Sequence, residues 1–93
     1  MAIWAPQALA DLKEAWDYIA EENEPAADRI LATIETAGNR LERFPFLGRP
    51  GRAPGSRELT VPRTRYFLVY YVQPAGVEIA RVVHSARQWP PKG

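Results

Sequence analysis

Tyr66-Phe67-Leu68-Val69-Tyr70-Tyr71-Val72 is the stretch on which the fold turns. Every residue in it is aliphatic or aromatic. A run of this kind, without polar alternation, needs cover on both faces and predicts a central strand. Pro74-Ala75-Gly76 reads as a turn, and Val77 to His84 resumes as a strand. There Val77 and Ile79 share one face and Glu78 and Ala80 the other, so the two long strands should join as a hairpin. Upstream, Arg57 to Val61 alternates, with Leu59 and Val61 set against Glu58 and Thr60.

The first half of the chain has a different period. From Gln7 to Glu22 the apolar residues Leu9, Leu12, Trp16 and Ile19 recur at spacings of three and four, with Ala8 and Ala15 beside them. That is one helical stripe, opposed by Asp11, Glu14, Asp17 and Glu21. Pro6 suits the first helical turn, where no N–H is needed. Asn23 is placed to cap a second helix running from about Glu24 to Arg43, with the stripe Ala27, Ile30, Leu31, Ile34, Ala37, Leu41 and Phe44. The join between the helices is so short that they should pair antiparallel. Residues 45–55 contain three prolines and three glycines and read as a loop, with Phe46 and Leu47 expected beneath it. Residues 1–5 read as a short strand or extended entry, with Trp4 in the core. Residues 85–93 read as a fraying tail. The expected fold is α+β in the order β-α-α-β-β-β, a helix hairpin packed on a small antiparallel sheet.

The chain has 93 residues, which suits one domain spanning 1–93. Hydrophobic residues make up 46% and charged residues 25%, an ordinary globular balance that excludes a disordered or collagen-like chain. No apolar run approaches the roughly 18 residues of a membrane span. No basic-then-apolar leader is visible, so a cytoplasmic protein is expected. With no cysteine and one histidine, disulfides, thiolate nucleophiles and multi-histidine metal centres are excluded. Neither metal nor cofactor is expected. The net charge of +1 conceals an asymmetry. Residues 1–39 hold two bases against eight acids, a balance of −6, and residues 40–93 hold ten bases against three acids, a balance of +7. The basic half could meet nucleic acid or an acidic protein surface; the plainer account is that the halves neutralise each other in the fold.

Side chains able to carry chemistry cluster late. His84 titrates near neutral pH without help and is followed three residues on by Arg87. Together they could form a base and a phosphate clamp; a structural hydrogen bond is the simpler role for His84. Arg63 and Arg65 flank Thr64 and, in an extended segment, would point the same way. Two guanidinium groups on one side suit phosphate or carboxylate recognition. The aromatics of 66–72 have core spacing rather than base-stacking spacing. Trp89 lies among prolines, where it is either a contact anchor or a lid folded onto the sheet. Gly48-Arg49-Pro50-Gly51-Arg52 has the wrong spacing for a phosphate loop, and neither Ser56 nor Ser85 sits in a nucleophile motif.

Several segments in order resemble a known family. They are Asp11-Leu12-x-x-Ala15-Trp16-x-Tyr18-Ile19-Ala20, then Leu41-x-x-Phe44-Pro45-x-Leu47-Gly48-Arg49-Pro50, then Arg57-Glu58-Leu59, the run 66–72, and Arg81-Val82-Val83-His84-x-x-Arg87. Together they resemble the ParE branch of the ParE/RelE toxin superfamily over about residues 4–88. The resemblance implies the toxin of a type II toxin–antitoxin pair, also known as plasmid stabilisation proteins, bound and silenced by a cognate antitoxin in a hetero-oligomer. The antitoxin would meet the acidic helix hairpin or the sheet edge. ParE-like members inhibit DNA gyrase; on that reading Arg63, Arg65, Arg81, His84, Arg87 and Trp89 are target contacts and no bond is cut. RelE-like members cut mRNA on the ribosome; on that alternative Arg65, Arg81 and His84 would be catalytic. The nucleases commonly carry arginine where this chain has Phe67, many end on a tyrosine that is absent here, and their lysine patch is reduced to Lys13 and Lys92.

Overall fold

The computed structural model describes residues 2–92. The chain runs β1 (Ile3–Trp4), α1 (Pro6–Ala20), α2 (Glu24–Arg40), β2 (Arg49–Pro50), β3 (Arg57–Thr60), β4 (Tyr66–Gln73) and β5 (Gly76–His84). The strands form one sheet in the order β1-β5-β4-β3-β2. β4 is therefore central, and Tyr66 through Tyr70 are all buried. The expected order holds, with two additions. The 45–55 loop carries a two-residue strand, β2, on the far edge of the sheet, and β1 pairs parallel to β5, so the sheet is mixed rather than antiparallel. Met1, the first residue of the expected opening strand, and Gly93, the last of the expected tail, lie outside the described residues.

Both helices begin where local chemistry says they should. α1 opens with Pro6 in its first turn. α2 opens on Asn23, whose side-chain oxygen accepts the Ala26 N–H at 3.0 Å. α2 ends three residues earlier than its apolar stripe suggested, and 41–43 continue as turns. Ala8, Leu12 and Ala15 of α1 and Ile34 of α2 pack with Leu41 against Leu68, Tyr70, Ile79 and Val82. Burying each large aliphatic side chain here contributes about 1.5–3 kcal/mol. Leu9, counted in the helical stripe, is 53% exposed because α1 packs through the Ala8–Leu12–Ala15 line. Trp4 is half-buried over Gly38, and a Cβ there would come within 2.6 Å of the indole Cη2 and 2.8 Å of Ile79 Cδ1. Gly38 thus sits in a helix, where glycine costs about 1 kcal/mol, because the indole occupies the space.

Phe44, Phe46 and Leu47 correct the expectation of burial: they are 51%, 68% and 48% exposed. The loop is held instead by Tyr70. Its hydroxyl donates to the Pro45 carbonyl at 2.8 Å and accepts the Gly48 N–H at 2.9 Å. Arg57 donates to the Gly48 carbonyl and covers the Phe46 ring at 5.2 Å. The anchor is polar, so the apolar side chains are left outside.

The second face of the sheet is covered as well. Phe67, Val69 and Val83 form a cluster on which Trp89 packs. The expected frayed tail therefore folds back at least that far. Beside this cluster Glu58, on the face opposite Leu59 and Val61, is buried at 4% exposure. It accepts from the Arg52 backbone N–H at 2.9 Å and from the Arg52 guanidinium at 2.9 and 3.2 Å. Those bonds hold its pKa below the ordinary carboxylate value despite the opposing cost of burial.

Candidate functional site

β1 is short and leaves β5 beyond Ile79 without a neighbouring strand on that side. An open edge exposes N–H and C=O groups that need partners. α1 supplies one. Asp11 accepts the Val82 N–H at 2.9 Å and the Arg81 Nε–H at 2.8 Å, with a second bond from Arg81 Nη2 at 3.2 Å. The carboxylate thus stands in for a strand at this point. The Asp11 hydrogen bond raises the pKa of Arg81 further above its ordinary value. One turn along α1, Glu14 pairs with Arg87.

Between α1 and this edge lies a groove lined by Asp11, Glu14, Tyr18, Tyr66, Arg81, His84 and Arg87 among others. His84 closes β5 opposite Tyr66, their rings edge to face at 5.1 Å between centroids. Its Nδ1 accepts the Ala86 N–H at 3.1 Å, so the neutral ring carries its proton on Nε2. Burial raises the Tyr66 phenol above its ordinary pKa. Arg81 also lies over the Trp89 ring at 5.3 Å. The indole Nε1 of Trp89 is buried without a hydrogen-bond partner among the described residues.

The fold therefore brings together Arg81, His84, Arg87 and Trp89 at the end of β5. It does not bring Arg63 with them. Arg63 has φ +65°, which breaks the extended geometry assumed for Arg63 and Arg65. Its side chain lines a separate groove against α2, with Arg29 and Arg40. Arg65 is exposed, and its carbonyl accepts the Ser85 N–H at 2.7 Å. Sequence reasoning missed Asp11 and Glu14 as site residues. The i, i+3 spacing put them on one side of α1, yet nothing local showed that this side faces Arg81 and Arg87. No group of three or more metal-ligating side chains occurs among the described residues, and no helix is long and apolar enough to cross a membrane.

Comparison with known proteins adds to this geometry. Residues 2–89 match the family described as ParE toxin of type II toxin-antitoxin system, parDE. Putative toxin Y4kP of Sinorhizobium fredii (strain NBRC 101917 / NGR234) is 39% identical over 87 residues, covering 94% of this chain and 90% of that protein. Toxin RelE2 of Caulobacter vibrioides (strain ATCC 19089 / CIP 103742 / CB 15) is 36% identical, covering 91% of this chain and 94% of that one. A chain of the solved structure described as the chromosomal ParDE TA system from P. aeruginosa superposes with a TM-score of 0.82 at 26% identity, covering 89% of this chain and 92% of the other. A two-helix hairpin on a five-stranded mixed sheet with these relatives defines a toxin of the type II toxin–antitoxin class. Within that class the chain belongs to the ParE toxin family.

Proposed function

We propose that this protein inhibits DNA gyrase by binding, and that a cognate antitoxin neutralises it by covering the same groove in a toxin–antitoxin complex. The observation that carries the reading is the ParE family match along residues 2–89. The groove chemistry agrees with binding rather than bond cleavage. Arg81 is neutralised by the part-buried Asp11, which weakens it as a stabiliser of a phosphorane, whereas the Arg87–Glu14 pair is exposed and can open to a partner. Phe67, where the related nucleases carry arginine, is buried in the second-face cluster. Arg81, His84, Arg87 and Trp89 are the assigned target contacts, with Arg65 at the adjoining end of β4. An inhibitor of gyrase would act in the cytoplasm, with its target.

The test is a gyrase supercoiling assay with purified protein, with and without the antitoxin. Inhibition that the antitoxin relieves is expected. Unchanged supercoiling at large excess of protein would overturn the reading and point to ribosome-dependent mRNA cleavage, with His84→Ala the first variant to make.

A further inference from the structure

The second groove, between α2 and the turn after β3, is lined by Arg29, Arg40 and Arg63 with Thr33 and Thr36. No carboxylate lines it among the described residues. None of the three arginines makes an ion pair or side-chain hydrogen bond among the described residues, whereas Arg52, Arg81 and Arg87 all have carboxylate partners. The acids of α2, Glu24, Asp28 and Glu35, fall at other spacings: Pro25, Ala26, Ala32 and Thr33 flank Arg29 at three and four residues, and Thr36, Ala37, Arg43 and Phe44 flank Arg40. Arg63, moreover, holds a left-handed backbone at φ +65°. A non-glycine residue there costs on the order of 1 kcal/mol, and glycine would relieve that cost. A cation thus stands at a left-handed position on the wall of the groove.

We infer that this groove binds the phosphate backbone of duplex DNA, at a site separate from the β5 groove and independent of the gyrase reading. Guanidinium groups pair with phosphate oxygens in a fork geometry. Arg29 and Arg40 are eleven residues apart on α2, which is about 16 Å at 1.5 Å per residue. Phosphates recur every ~3.4 Å of axis along each strand, so this span meets several of them. Among the described residues the lining contains no aromatic side chain. Single strands are gripped largely by stacking bases on aromatic rings, so the groove suits a duplex backbone. Asp11 and Glu14 of α1 lie at the other groove.

The experiment is fluorescence anisotropy of a labelled random-sequence 20-base-pair duplex, titrated with the purified protein across a KCl series. Three phosphate contacts predict a slope of about −2.7 in log K against log[KCl], from ~0.9 per contact. Arg29→Ala and Arg40→Ala should each flatten the slope by about 0.9. Arg29→Lys and Arg40→Lys should restore it, since lysine still meets a phosphate as a point charge. Arg63→Gly should lose the same increment while melting no lower than the parent protein, which separates binding from folding. Arg43→Ala removes an equal charge outside the groove and should leave the slope unchanged. Equal flattening by Arg43→Ala, equal binding by parent and Arg29→Ala/Arg40→Ala double variant, or tighter binding to a polyglutamate peptide than to the duplex would each overturn the assignment.

Discussion

Asp11 and Arg81 are seventy positions apart in the chain and 2.8 Å apart in the fold. The pair, with the Val82 N–H on the same carboxylate oxygen, joins α1 to the open edge of β5. It closes one side of the candidate groove and fixes how much of Arg81 a partner can reach. Asp11→Ala leaves a part-buried N–H and a guanidinium unpaired at once, and should cost about 1–3 kcal/mol. For a chain of this size about 1 kcal/mol moves Tm by about 4–8 °C. Asp11→Asn keeps an acceptor for Val82 and should lose less than the alanine variant by thermal melting. Equal losses would mean that the edge contact contributes nothing.

Glu58 makes stability depend on pH in the acid range. Its carboxylate accepts from Arg52 on both oxygens, so its folded pKa lies below the ordinary value of about 4.3. For such a group the stabilisation is fully present above the unfolded pKa. It is lost as pH falls from about 4.3 through the lower folded value. Urea midpoints measured from pH 6 down to pH 2 should fall over that window, and Glu58→Gln should flatten the fall while lowering the midpoint at pH 6.

Gly38→Ala should destabilise the protein although alanine is the better helix former. Intrinsic propensity favours alanine by about 1 kcal/mol. The added Cβ, however, would collide with the Trp4 indole and Ile79. Overpacking of this kind costs about 1–3 kcal/mol. A chemical-denaturation midpoint at or above that of the parent would show that Trp4 does not pack as described.

Trp89→Ala should uncover Phe67, Val69 and Val83. An increase in binding of a hydrophobic dye, with helix content unchanged by circular dichroism, is expected. No change in dye binding would mean that the tail does not cover this face in solution.

The central strand, the helix hairpin and the order of elements were legible because each rests on a local period: the unbroken run 66–72, the three-and-four spacing in α1 and α2, and the Asn23 cap. β1 escaped a firm orientation because parallel pairing with β5 is set by the path of the whole helix hairpin, which no local pattern encodes. Phe46 misled because its burial depended on how the loop is anchored, and the anchor is the Tyr70 hydroxyl, 25 positions away from Pro45. In the candidate site, Arg81, His84 and Arg87 were legible as a cluster on one short segment. Arg63 was separated from Arg65 by a single left-handed residue, which an arginine in sequence does not announce. Alternation placed Glu58 opposite Leu59 and Val61 but could not show its burial, since the loop that brings Arg52 over it has no period to follow.

The measurement that bears most directly on the function is DNA-cleavage trapping in a gyrase reaction containing the purified protein. Linear DNA should accumulate, the antitoxin should abolish the effect, and Arg87→Ala and Trp89→Ala should weaken it without unfolding the chain. Intact DNA at every protein concentration, together with mRNA cut on ribosomes by the same preparation and spared by His84→Ala, would contradict it.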